Sequence, residues 1–99
     1  MGLRIQVNRE QIAEFCRRHH IRRFAFYGSV LRDDFRPESD VDVLIEFEPG
    51  HVPGLIRLMG MQLEFSDMIG READFRLPGD LSILFRDRVV AEAEVLYAA

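Results

Sequence analysis

The chain has 99 residues, 47% apolar and 30% charged, with a formal net charge of −4, the make-up of an ordinary soluble globular protein rather than a disordered or membrane one. That negative balance argues against a general nucleic-acid coat, because duplex binding rests mainly on neutralising phosphates. No apolar run approaches the roughly 20 residues that a bilayer span requires, and all 13 basic residues are arginine, which removes lysine-based catalysis.

The first element expected is a helix from about Asn8 to His20. Asn8 suits the N-cap, with Gln11 three residues on in a capping-box pattern, and Ile12, Phe15 and His19 or Cys16 share a face. Cys16, the single cysteine, permits no internal disulfide and reads as a small packed hydrophobe. Ile21 to Tyr27 reads as a strand ending in the Gly28-Ser29 turn, followed by a short helical turn from Val30 to Phe35 and a loop marked by Pro37 and Ser39.

Asp40 to Phe47 alternates: Val41, Val43, Ile45 and Phe47 point one way, and Asp40, Asp42, Leu44 and Glu46 the other. Pro53 suits the first position of a helix to Ile69 that Gly70 stops, its apolar stripe including Leu55, Leu58, Met59, Phe65 and Ile69. Gly60 inside it costs about 1 kcal/mol against alanine. Met59, Met61 and Met68 fall at helical spacings and are read as core or interface packing. Glu72 to Leu77 reads as a third strand, with Asp74 outward beside Glu72 and Arg76, and the spacing of Val89, Val90, Ala93 and Leu96 predicts a last helix through Tyr97. The order is α-β-α-β-α-β-α, an α/β (α+β) fold in which helices cover one face of a small sheet. His19 and His20 are read as a helix-dipole or packing pair, and His51 as a solvated loop residue.

The feature that carries chemistry is Gly28-Ser29 followed, after ten residues, by Asp40-Val41-Asp42. Glycine lets backbone N–H groups approach phosphate oxygens where a strand gives way to a helical turn, and serine adds a donor. Two carboxylates two apart on a strand share a face, repel one another and call for a cation such as Mg²⁺. Two such ions suit an in-line displacement at phosphorus. An Asp-x-Asp alone is weak, since solvated acidic pairs are common and some glycosyl-transferring enzymes use one.

Tyr27-Gly28-Ser29-Val30-Leu31-Arg32-Asp33-Asp34 through Ser39-Asp40-Val41-Asp42 resembles the signature of the polymerase-β-like nucleotidyltransferase superfamily. More narrowly it resembles the minimal nucleotidyltransferases, the MNT-type antitoxins paired with HEPN-type toxins. Gly70-Arg71-Glu72-Ala73-Asp74-Phe75 and Val95-Leu96-Tyr97 are similar to that family too, so the likeness covers nearly the whole chain. Two departures stand out: Asp33 where members often carry glycine, and Ala73-Asp74-Phe75 in place of a valine-aspartate-leucine run.

The resemblance implies a polymerase-β-like fold with a small mixed β-sheet. It implies Asp40 and Asp42 as ligands of two Mg²⁺ ions, with Mn²⁺ the alternative, Asp74 as the third carboxylate, and Gly28 and Ser29 around the triphosphate of ATP. Arg32 would meet phosphate charge, or else be a solvated arginine. It further implies transfer of AMP to a hydroxyl, a tyrosine foremost, on a HEPN-type toxin in a hetero-oligomer. The alternatives are an antitoxin that neutralises by binding alone, and a nucleotidyltransferase acting on a small molecule or RNA end. Size sets the expectation of one domain over residues 1–99 with the acceptor supplied from outside, and the lack of an apolar span or a signal-peptide shape in Met1–Gln11 sets that of the cytoplasm.

Overall fold

The computed structural model describes residues 7–31 and 40–99, the side chains of Ser29 and Val30 excepted. Asn8 opens the first helix, α1 (Arg9–Arg18), as expected: its side chain accepts from the backbone N–H groups of Glu10 and Gln11, satisfying two donors that the helix itself leaves unpaired. The helix buries Ile12, Phe15 and Cys16. His19 tilts against Phe15 with ring centroids 4.6 Å apart.

Strand β1 (Ile21–Tyr27) has the predicted bounds. A 3₁₀ turn then begins at Gly28, two residues before the expected start, and runs to Leu31. The rest of that predicted turn, Arg32, Asp33 and the Pro37–Ser39 loop lie outside the described residues. Strand β2 (Val41–Phe47) pairs antiparallel with β1, and helix α2 (Leu55–Ile69) crosses to β3 (Ala73–Arg76), which lies parallel to β2.

Helix α2 corrects two expectations. Gly54, in extended conformation, is its N-cap, so Pro53 lies outside the helix. The buried side chains are Met61 and Phe65, with Leu58, Met68 and Ile69 packed against the core, whereas Leu55 and Met59 are exposed. The helix carries two apolar stripes at helical spacing, and only tertiary packing selects the one that faces the sheet. At its end Gly70 adopts φ +70° and returns its N–H to the Ser66 carbonyl, the left-handed stop that glycine permits without a Cβ clash.

The last predicted helix is the largest correction. After a 3₁₀ turn at Pro78–Asp80, helix α3 covers only Arg86–Glu92 and Ala93 turns to an extended backbone. Glu94–Ala98 is then a fourth strand, β4, antiparallel to β1. The 3–4 spacing of Val89, Val90, Ala93 and Leu96 is real, but β1 would otherwise end the sheet with a row of unpaired backbone groups. Pairing with that distant edge outweighs local periodicity.

Among the described residues, three helices and a four-stranded mixed sheet of order β3-β2-β1-β4 result. The core on one sheet face is built by Ile12, Phe15 and Cys16 of α1, Met61 and Phe65 of α2, and inward residues of all four strands. Phe15, Phe24, Phe65 and Phe75 form its centre, with centroids of 5.0 Å for Phe24–Phe65 and 5.7 Å for Phe15–Phe65, the separations at which aromatic rings pack favourably.

Strand β3 is the sheet's other edge, and α2 covers it chemically. The N–H of Ala73 donates to Ser66 Oγ at 2.9 Å and that of Phe75 to Gln62 Oε1 at 2.8 Å. Two outward backbone donors are thereby satisfied by side chains one helical turn apart. The register of β3, and with it the position of Asp74, is fixed from both sides.

Candidate active site

The sheet face away from the core carries the candidate residues. Tyr27 stands opposite Asp42 in the antiparallel β1–β2 register, and Asp42 stands beside Asp74 in the parallel β2–β3 register. Adjacent strands run about 4.8 Å apart, so matched residues share a face within reach of one another. Electrostatics agree: Tyr27 feels Asp42 and Asp74 together, along with Arg76 and Asp80.

Gly28 takes the chain out of this row. Its φ is +76°, and a Cβ built there would stand 2.6 Å from Asp42 Oδ2. The backbone at the β1 exit is pressed against the carboxylate of β2, in a conformation that L side chains rarely adopt. Asp40 lies one residue before β2 and is exposed. The Val41 N–H, bonded to the Glu72 carbonyl at 2.9 Å, pins the start of β2 to the segment before β3.

Asp74 is held by Arg76, whose Nε and Nη2 both lie 3.2 Å from Asp74 Oδ2. The Asp74 carboxylate raises the Arg76 pKa further above its ordinary value. Burial first, and then the negative charge of Asp42, push the Tyr27 phenol up to about 12, so it stays protonated and able to donate at neutral pH. Asp80 adds charge from the turn after β3, where its Oδ2 accepts from the Leu77 N–H at 3.2 Å.

The structure thus brings together Gly28, Asp42 and Asp74, with Asp40 at the mouth of β2. It adds Tyr27, Arg76 and Asp80, which the sequence reading had not placed in the site. Arg76 was legible in part, two residues beyond Asp74 on one strand face; Asp80 was legible only as part of the Pro78-Gly79-Asp80 turn, whose approach to Tyr27 is set by tertiary structure. The Ser29 side chain and Arg32 lie outside the described residues. Carboxylates on adjacent strands fit a divalent cation, whose positive charge would offset their repulsion.

A small mixed sheet with Gly28 against Asp42 and Asp74 beside it is an arrangement suited to phosphoryl chemistry. The chain belongs to the nucleotidyltransferase domain family, whose model matches residues 9–96. It is 28% identical over 85 residues to a Methanocaldococcus jannaschii protein assigned as a protein adenylyltransferase, covering 86% of this chain and 89% of that one. It is 32% identical to a solved structure described as a minimal nucleotidyltransferase, with TM-score 0.71 and coverage of 86% and 85%. Two more distant structures share the fold. A toxin–antitoxin complex with AMP-PNP gives TM-score 0.75 at 15% identity, covering 94% of this chain and 75% of that one. A complex of a tri-AMPylated Shewanella oneidensis HEPN toxin with an MNT antitoxin gives 0.66 at 14%, covering 92% and 70%.

Proposed function

We propose that this nucleotidyltransferase is an antitoxin that transfers AMP from ATP to a hydroxyl, a tyrosine foremost, of a HEPN-type toxin. Residues 1–99 are read as one minimal cytoplasmic domain. The observation that carries the reading is the close approach of Gly28 to Asp42, with Asp74 beside it on the adjoining strand. The family match and the likeness to adenylyltransferases support it.

Asp40, Asp42 and Asp74 would hold two Mg²⁺ ions, or Mn²⁺, which when bound neutralise phosphate charge and lower the pKa of the acceptor hydroxyl. Gly28, Ser29 and Arg32 are assigned to the oxygens of the triphosphate. Asp74 is assigned to orient the catalytic metal and to help take up the proton of the acceptor hydroxyl. Arg76 holds Asp74 in position, while the protonated Tyr27 fills the floor without adding charge.

A protein acceptor is favoured by the outer face of α2. Leu55, Met59 and Leu63 repeat every four residues there and are 73%, 54% and 66% exposed, with Ile56 at 87% beside them. An apolar helical stripe left in water suits docking against another protein. Incubation of the purified chain with α-labelled ATP and Mg²⁺, with and without the HEPN-type protein, tests the proposal. Label on the partner only in the complete mixture supports it. Label on a small molecule or RNA end without the partner, or none at all, contradicts it.

A further inference from the structure

At the far end of the β1–β2 pair from Gly28, three residues that are apart in the sequence come together. His20 ends the α1–β1 turn, Glu48 follows β2, and His51 lies across a tight turn from Glu48. Their side-chain ligand atoms all lie within 4.8 Å of one another, the one such cluster of at least three His, Cys, Asp or Glu residues among those described. The imidazoles stack at 3.9 Å with planes 16° apart, and His20 Nδ1 lies 3.7 Å from Glu48 Oε1.

Backbone bonds build this arrangement. The Glu48 N–H donates to the His20 carbonyl at 2.9 Å, and the His51 N–H to the Glu48 carbonyl at 3.0 Å. Gly50 makes the intervening turn at φ +81°, and His20 itself adopts φ +58°, a left-handed conformation that is uncommon for a residue with a side chain. The neighbouring His19 is engaged elsewhere, its Nε2 3.0 Å from Glu64 Oε1. A cleft of about 180 Å³ opens beside the cluster, with Val52, Pro53 and Arg57 on its wall.

We infer that His20, Glu48 and His51 form a second metal site, selective for a divalent transition ion of the zinc type. Two imidazole nitrogens and one carboxylate are the ligand set of Zn²⁺, Co²⁺ and Ni²⁺, whereas Mg²⁺ takes oxygen ligands and keeps its waters. Zinc bonds of about 2.0–2.1 Å place neighbouring tetrahedral ligands about 3.4 Å apart, so the trio closes when the two stacked rings turn their planes towards a shared ion. The half-exposed His20 and Glu48 side chains, 48% and 43% accessible, let an ion enter from solvent, with water in the fourth position. The bound ion would clamp the loop leading into α2 to the end of α1. Eight residue steps at about 3.3 Å each put His20 roughly 26 Å from Gly28 along β1, well separated from the candidate active site.

The test is calorimetric titration of the metal-stripped, tag-free chain with ZnCl₂ in the presence of excess Mg²⁺, beside His51→Ala, His20→Ala and Asp42→Asn. The expected result is one Zn²⁺ per chain, weakened about tenfold or more by either histidine change and unaffected by Asp42→Asn. Imidazole NMR of the unaltered chain gives a reading that does not depend on folding of the variants: Zn²⁺ shifts His20 and His51 while His19 stays in place. Absence of Zn²⁺ uptake overturns the inference. So does uptake lost in Asp42→Asn and kept in His51→Ala, or shifts confined to other residues.

Discussion

Gly28 and Asp42 meet so closely that a single added carbon would collide: a Cβ on Gly28 would stand 2.6 Å from Asp42 Oδ2. Gly28→Ala therefore acts twice. It strains a backbone at φ +76°, at about 1–2 kcal/mol, and displaces the Asp42 carboxylate. We expect a modest fall in Tm and a loss of nucleotide transfer of about a hundredfold or more, on the scale of removing one preorganised catalytic contact. Thermal unfolding measured with the transfer rate checks this; a rate that falls only as far as folded fraction does would refute the close contact's catalytic importance.

Gln62 positions Asp74 without touching it, by accepting the Phe75 N–H at 2.8 Å. Gln62→Leu leaves that donor without a partner at the sheet edge, at about 1–3 kcal/mol. Denaturant unfolding should show the loss, and hydrogen exchange should quicken at Phe75. Unchanged protection there would mean that the edge of β3 is held otherwise.

Gly60 sits inside α2 with nothing within 4 Å of where its Cβ would stand and no left-handed backbone. Neither packing nor turn geometry requires glycine, so Gly60→Ala should stabilise by about 0.4–1 kcal/mol through the unfolded chain. A rise of several degrees in Tm with an unchanged transfer rate is the expected outcome. Destabilisation would show that the surface there is covered.

Glu64 joins the two core helices, with Oε2 2.6 Å from Arg18 Nη2 and Oε1 3.0 Å from His19 Nε2. Burial alone would raise its pKa, but the hydrogen bonds and charges of Arg18 and His19 outweigh burial and hold the carboxyl below its ordinary value. A depressed carboxylate pKa contributes stability above the unfolded-state value, and that contribution is lost as pH falls through the folded-state value. Because the side chain is 36% exposed, solvent screening limits the effect to about 1 kcal/mol or less. Glu64→Gln should lower Tm at pH 7 and cease to matter near pH 3; an equal deficit at both would assign it to packing.

The strands that carry the site were the legible part of the sequence. Val41–Phe47 shows period-two alternation that tells which face is buried, and Ile21–Tyr27 stood out by its aromatic residues and the Gly28-Ser29 turn that ends it. Gly28 and the Asp40–Asp42 pair stood out because their residue types serve chemistry and not packing. What failed was non-local. Leu55 and Met59 looked like core because α2 has two apolar stripes, and nothing within fifteen residues of helix says which meets Phe24 and Phe75. Glu94–Ala98 read as helix because its need for strand geometry comes from β1, some seventy residues earlier. His20, Glu48 and His51 were dispersed in the sequence and converge only once the β1–β2 register is set.

The most direct measurement is intact-mass spectrometry of the HEPN-type partner after co-expression with this chain or with its Asp40→Asn/Asp42→Asn double variant. The proposed activity predicts a partner heavier by one or more AMP groups on a hydroxyl side chain, and an unmodified partner beside the double variant. An unmodified partner beside the unaltered chain, with its toxicity suppressed equally by both forms, would contradict catalysis and leave neutralisation by binding.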